Sequence, residues 1–336
     1  MRILSIESSC DETAVAVVEN GRRVLTDCIS SQVELHKLYG GVVPEIASRK
    51  HMEAIYALAD AALLNGNISR SEIDAIAVTY APGLIGAVLV GVNFAKAAAL
   101  RLGVPLIPVH HIRGHIAANY IASPELEPPF VCLVVSGGHT IILHVEDYTK
   151  IQILGQTRDD AAGESFDKVA RVLGMPYPGG AALDRMARKG TEGTYPLPVP
   201  KLSGNPLDFS FSGLKTAALN TIHHARQLGE EIDIPGLCAD FSGAVSRMLV
   251  PRTMAAIRQT GLKKLAIAGG VAANSRIRQD FEAACRKEAV RLYVPPLSLC
   301  GDNAAMIGAQ GYYEYLAGHV ADQSLNAYAT KALETV

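Results

Sequence analysis

Two histidines one helical turn apart, His111 and His115 in the stretch His110-His111-Ile112-Arg113-Gly114-His115, have the spacing that speaks most directly of chemistry. On a helix, positions i and i+4 project from one face, a common arrangement for two imidazole ligands of a metal ion. A solvated helix face carrying two histidines has the same spacing. A zinc peptidase of the HExxH kind needs a glutamate general base directly after the first histidine. Ile112 stands there, so the pattern suits a metal and argues against that hydrolysis. A third ligand has to come from elsewhere. Asp302, in Leu299-Cys300-Gly301-Asp302-Asn303, follows a Pro-Pro loop and opens a predicted helix over 303–313. The plainer role for it is a helix N-cap.

Two glycine pairs follow predicted strands: Ser136-Gly137-Gly138, and Gly269-Gly270, which continues Val271-Ala272-Ala273-Asn274. Glycine at a strand end lets the backbone approach a phosphate, and successive N–H groups can cradle an anion. Neither pair fits a Walker loop or a GxGxxG fingerprint, and a tight turn accounts for either one alone. Their equivalent setting at strand ends makes them stronger together. A helix beginning near Asp159 buries Ala162, Phe166, Val169, Ala170 and Leu173 and leaves Asp160, Glu164, Asp167 and Arg171 on another stripe. An acid on a cleft-lining helix would accept hydrogen bonds from ribose hydroxyls; a solvated acidic face is the alternative. Asp184 follows the turn Tyr177-Pro178-Gly179-Gly180 by one helical turn.

The elements that must position these groups repeat. Apolar strands at residues 3–6 and 14–18, a charged turn at 19–22 and a third strand open the chain. The same plan recurs at 131–135, 141–145 and 151–154. Downstream, a strand at 76–79 runs into Pro82-Gly83 and a helix, as one at 265–268 runs into Gly269-Gly270 and a helix. Tandem β-β-β-α-β-α units predict a pseudo-symmetric α/β protein with a cleft between its halves. A further strand is expected at 106–109, an amphipathic helix at 45–64, a Pro- and Gly-rich loop at 191–206, and a peripheral tail at the end. The expected domains are an N-terminal lobe at 1–115, a C-terminal lobe at 116–318 with helical insertions at about 160–260, and a tail at 319–336. Residues 75–95 carry no charge and nominally reach membrane-spanning length. Pro82-Gly83 within them favours a buried strand, a turn and a buried helix reaching about Leu102.

Composition bounds the rest. The 336 residues are 49% hydrophobic and 19% charged, which excludes a disordered chain. Lys and Arg number 31 against 33 Asp and Glu, a net charge of −2, so no global basic field draws the protein onto nucleic acid. Local basic groups remain at Lys263-Lys264, Arg276 with Arg278, and Arg286-Lys287. No pair among the six cysteines has CxxC spacing, so neither a zinc ribbon nor a disulfide framework is indicated and a reduced cytoplasmic setting fits. The N-terminus carries Glu7, Asp11 and Glu12 where a signal peptide needs an apolar run.

Eight motifs in order carry a resemblance: VPEIASRKH (43–51), PVHHIRGH (108–115), VVSGGHT (134–140), DDAAGESFDK (159–168), YPGG (177–180), DFSFSGLKT (208–216), AGGVAAN (268–274) and GDNAAMI (301–307). Over nearly its whole length the chain resembles the bacterial TsaD (YgjD/Gcp) family. The resemblance implies a two-lobed actin/hexokinase/Hsp70-like (ASKHA) fold. It also implies an activity: transfer of an L-threonylcarbamoyl group from threonylcarbamoyl-adenylate to the exocyclic amine of adenosine 37 in tRNAs reading ANN codons, with release of AMP. Carried over position by position, His111, His115 and Asp302 would hold a metal, usually iron in this family, with zinc or magnesium as alternatives. Val134, Val135, Ser136, Gly137 and Gly138 would hold the adenylate, and Asp167, Gly180, Asp184 and Asn274 the nucleoside part, in a cleft that also suits ATP or ADP.

The donor is a mixed anhydride with AMP as leaving group, so no covalent nucleophile is required. Asp11, in the turn Glu7-Ser8-Ser9-Cys10-Asp11-Glu12, is the candidate for taking the amine proton or orienting a water at the metal; turn capping is its plainer role. The family also implies tRNA, a TsaB-like paralogue pairing with the N-terminal lobe, and a TsaE-like ATPase as partners. Ile55 and Leu58 are candidates to border that pairing surface, although core packing suits most such positions. Two other functions remain open: a metal-dependent peptidase, the older description of this family, and a non-catalytic nucleotide-binding scaffold.

Overall fold

The computed structural model describes residues 1–200 and 202–333. The chain divides into two compact units. Unit 1 comprises Met1–Pro128, Val145–Ile151 and the chain from Pro295 on; unit 2 comprises Pro129–His144 and Gln152–Val294.

Unit 1 opens with β1 (Arg2–Glu7), β2 (Glu12–Glu19) and β3 (Arg23–Ser31), then the short α1 (Val33–Lys37) and α2 (Pro44–Asn65). Next come β4 (Ala75–Ala81), α3 (Ile85–Leu102), β5 (Leu106–His110) and α4 (His111–Ala122). The sheet order is β3-β2-β1-β4-β5. β1 pairs antiparallel with β2 and parallel with β4, and β4 pairs parallel with β5. All seven residues of β4 are buried, as a central parallel strand covered on both faces requires.

Strand alternation separates the two coats. Leu4, Ile6, Val15, Val17, Ile76 and Val78 pack with the buried faces of α2 and α3. Ile3, Ala75, Ala77, Ile107 and Val109 pack instead with Ala118, Met306 and Ile307. Helix α3 is long and apolar enough to cross a membrane by length and composition; here Ala87, Val88, Gly91, Val92, Ala95 and Ala99 are buried, and the helix packs on β4 and α2.

Unit 2 is built on β6 (Phe130–Val135), β7 (Thr140–Val145) and β8 (Ile151–Gln156), followed by α5 (Ala162–Val172), α6 (Gly179–Ala187), α7 (Ser212–Leu228) and α8 (Ile234–Thr260). Then come β9 (Lys264–Ala268), α9 (Ser275–Lys287) and β10 (Arg291–Tyr293), after which α10 (Ala304–Leu316) returns to unit 1. The second sheet runs β8-β7-β6-β9-β10, strand for strand the order of the first. The duplication is therefore real and one step longer than the expected β-β-β-α-β-α unit. Each half adds a fifth strand and a following helix, α4 in the first and α10 in the second.

That last step redraws the expected domain boundaries. A break at 115 cuts α4, and α10, expected in the C-terminal lobe, packs on α4 and on β1, β2, β4 and β5. The tail from 319 is not peripheral where it is described. Ala321 N–H donates to Leu106 O at 2.8 Å and Tyr328 N–H to Tyr80 O at 2.9 Å, and Ala327 and Leu333 are buried. Backbone pairing of this kind leaves no hydrophobic period in the sequence. The loop at 191–206 is tied down by the buried Asp240 carboxylate of α8, which accepts from the N–H groups of Gly193 (2.7 Å), Thr194 (3.1 Å) and Tyr195 (2.7 Å).

Candidate functional site

Strand β5 passes directly into α4, whose N-cap is His110; its ring accepts from Ile112 N–H. His111 and His115 therefore sit on the first turn and a half of the helix. They are 7% and 1% exposed, with ring centroids 4.6 Å apart, which removes the solvated-face reading. Ile112, in the position a peptidase base would need, is buried. At Gly114 a Cβ would stand 2.6 Å from Ile307 Cδ1; the absent side chain lets α10 close on α4. The N-cap of α10 is Asn303, whose Oδ1 accepts from Met306 N–H at 2.9 Å, so capping does not fall to Asp302. Asp302 Oδ1 lies 3.5 Å from His111 Nε2 and 3.3 Å from His115 Nε2. One ligand atom from each of the three residues falls within 4.8 Å of the others.

Both ring nitrogens of His115 are buried and, among the described residues, neither makes a hydrogen bond, although Asp302 Oδ1 stands 3.3 Å from Nε2. Leaving such a group unmet costs about 1–3 kcal/mol, and a cation between the imidazoles and the carboxylate would satisfy it. The residues thus fit a metal ion. Without one, burial pushes the His111 imidazole down, but Asp302 and Glu7 outweigh it and raise it to about 9. Burial pushes the Glu7 carboxyl up, and His111 outweighs that and holds it below the usual range. Glu12 is pushed up to about 9 by burial and by the charges of Asp11 and Asp302. Asp11 is buried beside it and shares a hydrogen bond with it.

In unit 2 the expected ligand-holding residues form a continuous run of contacts. Val134 and Val135 end β6, with Val134 in register with Ala268 of β9. Gly269 has φ +92°, and a Cβ there would lie 2.5 Å from Val135 O, so only glycine brings the two strand ends this close. Ser136 closes the turn by donating its N–H to His139 O at 2.8 Å. Gly137 and Gly138 are exposed, and nothing lies within 4 Å of where a Cβ on either would stand. The N-terminus of α5 abuts this turn: Gly163 N–H donates to Ser136 O at 3.2 Å. On α5, Asp167 Oδ1 accepts from Gly180 N–H at 3.0 Å. Asp184 Oδ1 accepts from both the N–H (3.0 Å) and the hydroxyl (2.7 Å) of Ser275, which joins α6 to α9. Asn274 is the N-cap of α9, its Oδ1 accepting from Ile277 N–H at 3.1 Å.

The acidic stripe is not simply solvated. Asp160 pairs with Lys215, which overcomes the upward push of burial and holds its carboxyl below the usual range. Glu164 meets Lys168 at 2.6 Å. Sequence reasoning missed Glu7, Ser9, Thr79 and Glu12 around the first site. Its one available signal was a lone carboxylate ending the apolar strand Arg2–Glu7.

Comparison with known proteins bears on the family and the fold. Residues 23–309 match the family model of TsaD, tRNA N6-adenosine threonylcarbamoyltransferase. A tRNA N6-adenosine threonylcarbamoyltransferase of Moorella thermoacetica is 53% identical over 325 residues, covering 97% of this chain and 95% of that protein. One of Clostridium perfringens is 52% identical, covering 97% and 96%. Among solved structures, HypF of T. kodakarensis superposes with TM-score 0.62 at 15% identity, over 96% of this chain and 49% of that one. A ROK hexokinase of Thermus thermophilus superposes with TM-score 0.51 at 14% identity, over 95% and 100%. These two speak for the fold, which is the expected actin/hexokinase/Hsp70-like class. A family match across most of the chain, and half-identical relatives along nearly all of it, lead to one conclusion: the chain belongs to the TsaD family, transferases that place a threonylcarbamoyl group on the N6 amine of an adenosine in tRNA.

Proposed function

We propose that the donor is threonylcarbamoyl-adenylate, that the acceptor is adenosine 37 of tRNAs reading ANN codons, and that AMP is released. The observation that carries the donor assignment is the open backbone at Gly137 and Gly138, at a strand end and against a helix N-terminus, a setting suited to a phosphate. The N–H groups of this turn bind the adenylate phosphate and stabilise charge as AMP departs. Asp167, Gly180, Asp184 and Asn274 line the nucleoside. Because Asp184 is already engaged by Ser275 and by Arg188 at 2.7 Å, its part is to hold α6 and α9 in place around the sugar.

The adenosine amine attacks the carbamoyl carbon, a C–N bond forms, and the C–O bond to phosphate breaks. Positioning dominates, because the amine is a weak base. Asp11 takes the amine proton. The protonated Glu12 beside it donates a hydrogen bond and leaves Asp11 the acceptor. The Nε2 atoms of His111 and His115 and Oδ1 of Asp302 would hold a divalent iron, since two imidazoles and one carboxylate with open positions suit Fe(II), and an all-oxygen shell suits magnesium better. Bound there, the ion would supply Lewis acidity.

The chain works with partners: tRNA, a TsaB-like paralogue and a TsaE-like ATPase. Ile55 is buried in the core and Leu58 packs against it, so neither offers a docking face. Met52 (67% exposed) and Tyr56 (63% exposed) lie on the outer side of the same helix and suit the paralogue. Of the basic groups, Arg276 is held by Asp280 at 2.8 Å and by Glu192, and Arg278 donates to Ala272 O. Exposed Arg286 and Lys287 remain for RNA, and exposed Lys263 donates only weakly, its Nζ 3.5 Å from Glu288 O. All six cysteines are outside disulfides, which supports a cytoplasmic setting. Mass spectrometry of tRNA nucleosides after incubation with threonylcarbamoyl-adenylate and the partners tests the reading. Modified adenosine at position 37 is the expected product, and unmodified tRNA in the presence of all components would refute it.

A further inference from the structure

We infer that Glu7 is a positioning residue: its carboxylate fixes the tautomer and orientation of His111, so that Nε2 presents its lone pair to a divalent metal ion. The inference rests on the reading of His111, His115 and Asp302 as metal ligands and adds a residue to it.

Glu7 ends β1 and is fully buried. Its Oε1 accepts from the backbone N–H of Ser9 at 2.5 Å. Its Oε2 accepts from the Thr79 hydroxyl at 2.6 Å and lies 3.1 Å from His111 Nδ1. An ionised carboxylate only accepts hydrogen bonds, so Nδ1 must carry the proton and Nε2 is left for the ion. The Ser9 hydroxyl, 3.2 Å from the same Nδ1, lies beside this bond. A metal-bound imidazole that donates its other N–H to a carboxylate is oriented and made more basic, and loss of that partner typically costs about 10–100-fold in metal affinity. His115, whose Nδ1 makes no hydrogen bond, has no such support. The two histidine ligands are therefore unequal, with His111 preorganised.

Glu7→Gln separates charge and tautomer from shape. Ser9 N–H is a fixed backbone donor, so the glutamine carbonyl turns to it and the amide NH2 faces His111. That NH2 demands an unprotonated Nδ1 and drives the proton onto Nε2, where it competes with the metal. Co(II) serves as the probe. We expect Glu7→Gln to lower Co(II) affinity ten- to hundredfold by calorimetry and to shift the Co(II) visible spectrum, in a variant whose circular dichroism shows it folded. A second measurement needs only the natural chain. In the zinc-loaded protein, 15N NMR of the imidazoles is expected to show His111 bound through Nε2 with Nδ1 protonated. Unchanged affinity and spectrum in Glu7→Gln, or coordination of His111 through Nδ1, would overturn the role of Glu7 and leave the metal centre standing. Failure of the natural chain to bind Co(II) or Zn(II) at all would instead overturn the metal reading beneath it.

Discussion

A Cβ on Gly163 would stand 2.5 Å from the carbonyl oxygen of Ser136. The helix that carries Asp167 thus rests on the turn that presents Gly137 and Gly138. Gly163→Ala should push that turn away and weaken binding of an adenylate analogue at least tenfold, or about 1.4 kcal/mol. Metal content, set by residues of unit 1, should be unchanged. Calorimetry with a non-hydrolysable analogue, beside metal analysis of the same preparation, checks both halves.

Gly137→Val acts differently. A side chain there enters open space, so the folded chain has nothing to resist it and thermal stability should stay within about 0.5 kcal/mol, as for a surface substitution. Donor binding should nevertheless fall at least tenfold, about 1.4 kcal/mol. Undiminished affinity in a folded variant would show that the glycine serves only the turn.

His115→Ala removes a ligand whose two ring nitrogens are otherwise unmet. In the natural chain a divalent ion at 100 times its Kd should add about 2.7 kcal/mol of stability, visible as a rise in melting temperature. The variant should show no such rise and should lose transfer activity with it. Stoichiometric metal in the purified variant would contradict the ligand assignment.

The raised His111 pKa has a pH signature with a definite sign. In the metal-free protein its contacts with Glu7 and Asp302 stabilise the fold fully below the ordinary imidazole value of about 6.5. That contribution is lost as pH rises through the folded value of about 9. Metal binding needs the neutral imidazole, so ion affinity should climb over the same window and each ion bound at neutral pH should release a proton. Calorimetry in buffers of different ionisation enthalpy measures that release.

Tyr56, 63% exposed on α2, offers a test of partner docking. Tyr56→Arg should weaken pairing with the paralogue at least tenfold, the loss of about 1.4 kcal/mol typical of an interface aromatic. Metal content and donor binding by the chain alone should be kept. Size-exclusion chromatography of the mixed subunits, with salt-dependent tRNA binding measured alongside, decides the matter.

What could be read in advance was local or periodic. His111 and His115 share one helix turn, so their spacing alone suggested a shared ligand. Asp302 is far along the chain; its place after a Pro-Pro loop at a helix start made it a candidate, and the resemblance pointed to the same residue. The structure supplies the reason they meet: α4 and α10 are the equivalent last helices of the two halves, and they pack together. Glu7 stayed hidden because its partners are set by register. The parallel pairing of β1 with β4 brings Thr79 to the same strand end, and no motif marks that. The fifth strand of the second half was missed because β10 has only three residues, the first exposed. On α2, Ile55 and Tyr56 are neighbours in sequence; which one faces outward depends on where the sheet lies.

Unit 1 takes its parts from both ends of the chain, with most of unit 2 between them. During synthesis at about 5–20 residues per second, both histidines leave the ribosome long before Asp302 does. Until α10 arrives, one face of the first sheet is only partly covered, by α4, and the candidate metal centre lacks its carboxylate. An ion encountered early would meet imidazoles alone, whereas the complete three-residue set exists only once Asp302 has been added. An ion held by all three groups would therefore be taken up only after α10 has been made.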